Sequence, residues 1–121
     1  MANAINWFEI PVTDTPRAVA FYSAILGVEI SADPAAPGYQ MAVLPYQDGV
    51  GGALLSGEGY VPSANGALLY LNGGDDLNQV LGRVEEAGGQ VLTPKTSIGE
   101  NGFMGFFLDS EGNKIGLHSM G

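Results

Sequence analysis

Glu9 and His118 are the residues of this chain best suited to move a proton or to hold a charged ligand. Glu9 lies between apolar residues in a predicted strand, where burial of an unpaired carboxylate costs several kcal/mol. His118 is the only histidine and lies in the last predicted strand. The two could form an acid/base dyad, or Glu9 could bind a cation. The alternatives are a Glu9 that is solvated or paired with Arg17, and a His118 that is half in solvent.

The sequence repeats one supersecondary unit with an offset of 62 residues, and this repeat would position these side chains. In the first copy, a strand over residues 7–12 leads to Asp14, which begins a helix that ends at Gly27. In the second copy, a short strand over 69–71 leads to Asp76 and a helix over 77–87. Aspartate is a favoured helix N-cap and glycine a common C-terminal stop. Because neither copy could bury its apolar face alone, the repeat predicts two modules around one core.

The remaining apolar segments complete a βαβββ order in each copy. Strands are predicted over residues 28–30, 38–45, 50–56, 91–92, 103–108 and 114–118. The expected fold class is α+β, with two βαβββ modules that form a curved mixed sheet, a half-open barrel around a central cavity. Module one is expected over residues 1–57, a linker over 58–66 and module two over 67–121, all within a single domain.

Composition excludes several classes of protein. Four basic against thirteen acidic residues give a net charge of −9, which repels nucleic-acid phosphates. The chain has no cysteine, so disulfides and thiolate metal sites are excluded. No apolar run reaches the length of a membrane span, and no basic and apolar leader is evident at the N-terminus. We therefore expect a cytoplasmic protein without a nucleic-acid or membrane partner.

The motifs around the first helix and the last hairpin resemble those of a known superfamily. Residues 7–14 read Trp-Phe-Glu-Ile-Pro-Val-Thr-Asp, and residues 107–117 read Phe-Leu-Asp-Ser-Glu-Gly-Asn-Lys-Ile-Gly-Leu. Together with the repeat, they resemble the vicinal oxygen chelate superfamily of glyoxalase I, bleomycin-resistance proteins and extradiol dioxygenases. The resemblance covers nearly the whole chain. It implies the paired βαβββ fold, and it implies a homodimer because members of this superfamily usually dimerise.

The resemblance also locates the metal ligands of the superfamily, and this chain departs from them. Those enzymes hold a divalent metal with His or Glu side chains on cavity-facing strands. The corresponding positions here fall on Trp7, Leu69 and Gly116, and a further one falls near Gly51 or Gly52. A Lewis-acid site needs at least three converging oxygen or nitrogen donors. We therefore expect no metal and no cofactor.

An apolar cavity with a few polar groups would remain in place of the metal site. We expect it to be lined by Trp7, Glu9, Tyr39, Met41, Leu69, Leu71, Phe103 or Met104, Gly116 and His118. Trp7 could stack on a planar or cationic ligand, or it could fill the space of the metal. The sequence therefore predicts a metal-free protein that binds a small cationic or aromatic molecule. The alternative is a glyoxalase-like lyase, isomerase or dioxygenase that uses Glu9 and His118.

Overall fold

Two four-stranded mixed sheets carry the fold of the described chain, which in the computed structural model comprises residues 3–35 and 37–121. The first sheet contains β1 (Trp7–Pro11), β2 (Ala32–Pro34), β3 (Gln40–Val43) and β4 (Gly51–Ser56), in the order β1-β4-β3-β2. The second contains β5 (Leu69–Asn72), β6 (Gln90–Ser97), β7 (Phe103–Leu108) and β8 (Lys114–Ser119), in the order β5-β8-β7-β6. The predicted start of module one, at residues 1 and 2, lies outside the described residues.

The strand order is the same in both sheets, and this confirms the α+β class and the repeated βαβββ order. In each sheet the first strand pairs in parallel with the last, and the other pairs are antiparallel. The helices are α1 (Thr15–Leu26), α2 (Asn78–Leu81) and α3 (Val84–Ala87), and a 3-10 turn covers Gly99–Asn101. Within the described ranges the strands form two sheets and no closed barrel. No helix there is long and apolar enough to cross a membrane.

Helix α1 begins and ends where the sequence predicts. The side chain of Asp14 accepts a hydrogen bond from the backbone N–H of Arg17 and so caps the helix. At the other end, Gly27 adopts a left-handed conformation with φ of 67°, which glycine reaches without strain. The apolar face of the helix is buried, including Ala18, Tyr22 and Ile25. The capping residues at its two ends therefore determine where this helix begins and ends.

The second predicted helix, over residues 77–87, is wrong as a continuous element. It is divided at Gly82 into α2 and α3, because glycine is a poor helix former and Arg83 is turned to donate to the carbonyl of Ile25. Asp76 forms no capping box with Gln79. Its side chain instead accepts from the N–H of Asn78 and from Lys95 Nζ at 3.0 Å, and these bonds lower the pKa of Asp76.

Two predicted strands are also corrected. The strand expected over residues 28–30 lies instead at Ala32–Pro34, because the N–H groups of Val28 and Ile30 bond back to Ser23 in the last turn of α1. The strand expected over 91–92 is longer, Gln90–Ser97, with two register shifts against β7. The bulges interrupt the alternation by which a strand is recognised.

The two sheets share one apolar core that includes all three helices. Phe21 of α1 packs edge-on against Tyr22, with ring centroids 5.1 Å apart, and lies 6.0 Å from Phe107 of β7. Leu54 of the first sheet and Leu117 of the second belong to the same cluster of buried residues. Each sheet therefore has a helix-covered face and a second face, which we call the open face.

The turn between β7 and β8, residues 109–113, docks on the first half of the chain. The buried hydroxyl of Tyr22 donates to Asp109 Oδ2 at 2.7 Å, and Asn113 Nδ2 donates to the carbonyl of Pro11 at 2.8 Å. Burial and the neighbouring Asp109 charge raise the pKa of Tyr22 well above its usual value, so this phenol remains a donor. The turn was predicted as a simple hairpin connection, but it also joins the two sheets.

Glu111, at the tip of that turn, reaches the beginning of α1. Its Oε1 accepts from the N–H groups of Thr13 and Asp14, both at 2.9 Å. Arg17 Nε donates to its Oε2 at 2.7 Å, so Arg17 pairs with Glu111 and not with Glu9. Burial raises the pKa of Glu111, but the bonds from Arg17, Asp14 and Thr13 outweigh it and lower the pKa from 4.5 to about 2.

We predict that Glu111→Gln destabilises the protein by about 2 kcal/mol near neutral pH, because the folded state holds the carboxylate better than the unfolded state does. Since the pKa is depressed on folding, this contribution is present above pH 4.5 and lost as the pH falls towards about 2. Urea unfolding at a series of pH values measures it. The exposed Glu86→Gln serves as a matched control, and equal curves for the two variants would contradict the prediction.

Candidate functional site

The open face of the first sheet carries Trp7 and Glu9. Trp7 lies opposite Gly51 of β4, and Glu9 lies opposite Ala53. Between them Phe8 packs against the core, and Ile10 is buried within it. Because side chains alternate along a strand, Trp7 and Glu9 point away from the helices. This orientation is the one that the sequence predicts.

Glu9 accepts two hydrogen bonds from aromatic side chains. Its Oε1 accepts from the hydroxyl of Tyr60 at 2.9 Å, and its Oε2 accepts from Trp7 Nε1 at 3.4 Å. The bond to Glu9 is the main cause that raises the pKa of Tyr60, followed by burial. Tyr60 belongs to the segment between the two sheets, so this segment folds back over the open face.

Two further tyrosines extend this arrangement in both directions. Tyr46 packs edge-on against Trp7 with centroids 6.4 Å apart, and Tyr39 packs edge-on against Tyr60 at 6.2 Å. We call Tyr46, Trp7, Glu9, Tyr60 and Tyr39 the Glu9 row. The sequence predicted three of its members as site residues but missed Tyr46 and Tyr60, which lie in turn-rich segments without a strand pattern.

Met41, also a predicted site residue, lies in β3 beside the row. It is half-buried and stands opposite Leu55 of β4. Leu55 and Ala53 are buried but lie outside the main core cluster. The floor of the first open face is therefore apolar and formed by small or aliphatic side chains.

On the second sheet, Tyr70 lies on the open face, where Leu69 and Leu71 were predicted to lie. Leu69 and Leu71 were expected to face the cavity, but both pack against the core. Trp7 lies opposite Gly51 and Tyr70 opposite Gly116, so the strands repeat at 63 residues. The prediction aligned Asp14 with Asp76, which gives an offset of 62. A slip of one residue moves every side chain of a strand to the other face.

Phe103 is corrected in the same way. It packs against the core, and Lys95 Nζ lies 4.5 Å from the centroid of its ring. The open face of β7 instead carries Met104, opposite His118, and Phe106, opposite Gly116. The sequence left Phe103 and Met104 as alternatives, and the register of β7 against β8 selects Met104.

His118 borders an open pocket of about 910 Å³ on the second sheet, lined among others by Tyr70, Ile98, Met104 and Met120. Its Nε2 lies 2.6 Å from the carbonyl oxygen of Asn101. Glu9, in contrast, bonds to Tyr60 and Trp7. Within the described residues no hydrogen bond joins Glu9 to His118, so the expected dyad is not assembled in the single chain.

Two smaller grooves lie beside the first strand. One of about 390 Å³ is lined by Trp7, Glu9, Leu69 and Lys114 among others. The other, of about 470 Å³, includes Phe8, Leu69 and Leu71. Leu69 lines both of these grooves, whereas Leu71 lines the second groove and the pocket beside His118.

Aromatic rings and glycines occupy the positions at which the superfamily places its metal donors. A Cβ built on Gly116 would lie 2.7 Å from Tyr70, and one on Gly51 would lie 2.9 Å from Tyr46 and 3.1 Å from Trp7. No group of three His, Asp or Glu side chains that could hold a metal occurs in residues 3–35 and 37–121. Indole and the hydrogen of glycine supply no donor atom, and phenol is not among the Cys, His, Asp and Glu donors that hold Zn²⁺.

The relatives of this chain agree with the fold. Over residues 4–117 it matches the family described as the Glyoxalase/Bleomycin resistance protein/Dioxygenase superfamily. It is 33% identical over 118 residues to a glyoxylase-like domain-containing protein of Didymella fabae, with 90% of this chain and 88% of that one covered. It is 31% identical to the provisionally named glyoxylase CFP32 of Mycobacterium tuberculosis, with 93% of this chain covered. The chain spans 44% of the length of that relative.

Among solved structures, the chain is similar to TnmS3, an antibiotic binding protein from Streptomyces sp. CB03234. The two superpose with a TM-score of 0.66 and share 27% sequence identity. The match covers 98% of each chain. A protein of nearly the same length and fold therefore binds a small molecule.

Proposed function

The chain belongs to the glyoxalase/bleomycin resistance protein/dioxygenase superfamily, and we propose that it is a metal-free member that binds a small organic molecule. The single observation that carries this proposal is the pairing of aromatic rings with glycines on both open faces. Trp7 lies over Gly51, and Tyr70 lies over Gly116. Such rings supply flat apolar contact area and no ligand for a metal.

The shape and chemistry of the open faces support the binding role. The pocket beside His118 falls within the range of about 300 to 1,000 Å³ that is usual for small-molecule sites. Most of its lining is apolar, and Asn72, Ser119 and His118 supply polar groups. The likeness to the antibiotic binding protein TnmS3 supports a ligand of similar kind.

The enzyme alternative has less support from the geometry. A lyase, isomerase or dioxygenase that used Glu9 and His118 would need both groups within reach of one substrate. In the described chain each group has its own hydrogen-bond partner, Tyr60 for Glu9 and the Asn101 carbonyl for His118. We therefore assign Glu9 and His118 to ligand binding.

A homodimer is part of the proposal, because the open faces leave large apolar side chains uncovered. Trp7 is 39% exposed and Tyr70 is 51% exposed. Apolar patches of this kind mark interfaces or ligand sites. A second copy that covered these faces would enclose the ligand.

We predict that sedimentation equilibrium gives a molecular mass in solution that is twice the mass of one chain, which is 12.5 kDa. The mass of a monomer at every protein concentration would contradict the dimer.

We predict that true ligands change the emission of Trp7, the only tryptophan of the chain. Planar aromatic compounds are screened by fluorescence, and binding is verified by calorimetry. Trp7→Phe should weaken the verified ligands about threefold to tenfold, because a smaller ring loses stacking area. Val28→Ala, at an exposed apolar position after α1, serves as the control and should leave affinity unchanged. Verified ligands that leave the Trp7 emission unchanged and bind Trp7→Phe as tightly as the parent protein would show that the site lies elsewhere.

A further inference from the structure

Glu9 carries a negative charge that no basic side chain of this protein neutralises. The four Lys and Arg residues all have other partners: Arg17 pairs with Glu111, Arg83 donates to the Ile25 carbonyl, Lys95 pairs with Asp76, and Lys114 lies over the ring of Phe106. Lys114 lines the same groove as Glu9, but it lies 4.7 Å from the Phe106 centroid and forms no ion pair with Glu9 in the described chain. The Glu9 carboxylate is therefore available to an external cation.

The rings of the Glu9 row are likewise unused by cations of the chain. The two described cation–π contacts, from Lys95 and Lys114, are both to phenylalanines of the second sheet. The row instead holds its rings edge-on to each other, Tyr46 against Trp7 and Tyr39 against Tyr60. A cation bound here would be attracted by the quadrupoles of the aromatic rings and by the negative charge of the Glu9 carboxylate.

Glu9 also holds this arrangement in place. One carboxylate oxygen binds the Tyr60 hydroxyl and the other binds the Trp7 indole N–H. A carboxylate has about four lone-pair sites, so two bonds leave capacity for a ligand. Glu9 and Trp7 are exposed, and small buried residues such as Gly51 and Ala53 lie beneath them. Glu9 therefore remains accessible to solvent beside Tyr60 and Trp7.

We infer that the Glu9 row is a binding site for the ammonium group of a small organic molecule. The inference rests on the proposed function and names the chemical class of its ligand. An ammonium group with methyl or methylene substituents gains contact with the rings of Trp7 and Tyr60 and charge attraction from Glu9. The net charge of −9 adds a long-range attraction for cations. An uncharged molecule of the same shape gains only the apolar contact.

The test compares choline with dimethylbutanol, the uncharged isostere in which carbon replaces the quaternary nitrogen. Both are titrated into the full chain at constant ionic strength, with Trp7 emission and calorimetry as the readouts. Choline should give a saturable change and bind at least about fivefold more tightly than its isostere. Equal responses to the two compounds, or no saturable response to choline, would overturn the inference.

Variants assign the effect to Glu9. Glu9→Gln keeps the size of the side chain but removes its charge, and it should weaken choline about threefold to tenfold while leaving the isostere unchanged. Glu29→Gln removes one charge at an exposed position after α1 and should leave choline binding as in the parent. If both variants weaken choline equally, the attraction comes from net charge and the inference is wrong.

The two proposals fail in different ways. Uncharged aromatic compounds that bind and change Trp7 emission, together with a choline response no larger than that of its isostere, would keep the small-molecule role and overturn the ammonium site. A choline response that depends on Glu9 would support the site whether or not the aromatic screen yields a ligand.

Discussion

The docking of the 109–113 turn on the start of α1 holds the two sheets of this protein together. Glu111 receives two backbone N–H groups and Arg17, and the buried Tyr22 hydroxyl binds Asp109. These bonds attach the second sheet to the helix of the first. Because the helices are thereby enclosed in one core, the opposite faces of both sheets stay uncovered. The exposed aromatic residues are a consequence of this docking.

On those uncovered faces the chain keeps the backbone of its superfamily but changes the chemistry. Gly51 and Gly116 each leave space that an aromatic ring fills, from Trp7 and Tyr46 in one sheet and from Tyr70 in the other. Donor side chains at these positions would give a Lewis-acid site. Rings and glycines give a flat apolar surface with Glu9 and His118 at separate points. The proposed binding role rests on this exchange, because function depends on the site and not on the fold.

Local signals in the sequence were sufficient for β1 and α1 in the first half of the chain. Asp14 and Gly27 fixed α1, and regular alternation in β1 placed Trp7 and Glu9 on the correct face. In the second half the alignment of Asp76 with Asp14 placed Leu69 on the open face, whereas the sheet register selects Tyr70. The bond from Tyr60 to Glu9 spans 51 residues, and the bond from Arg17 to Glu111 spans 94. Such contacts depend on how the sheets dock, which no local pattern encodes.

The metal content of the protein distinguishes the proposed metal-free site from a Lewis-acid site. Elemental analysis is made on the protein as purified, and again after incubation with Ni²⁺ or Zn²⁺ and dialysis. Because rings and glycines occupy the donor positions, we expect far less than one equivalent of any divalent metal per chain. About one retained equivalent, lost in His118→Gln or Glu9→Gln, would show a metal site on the open faces and would contradict the account.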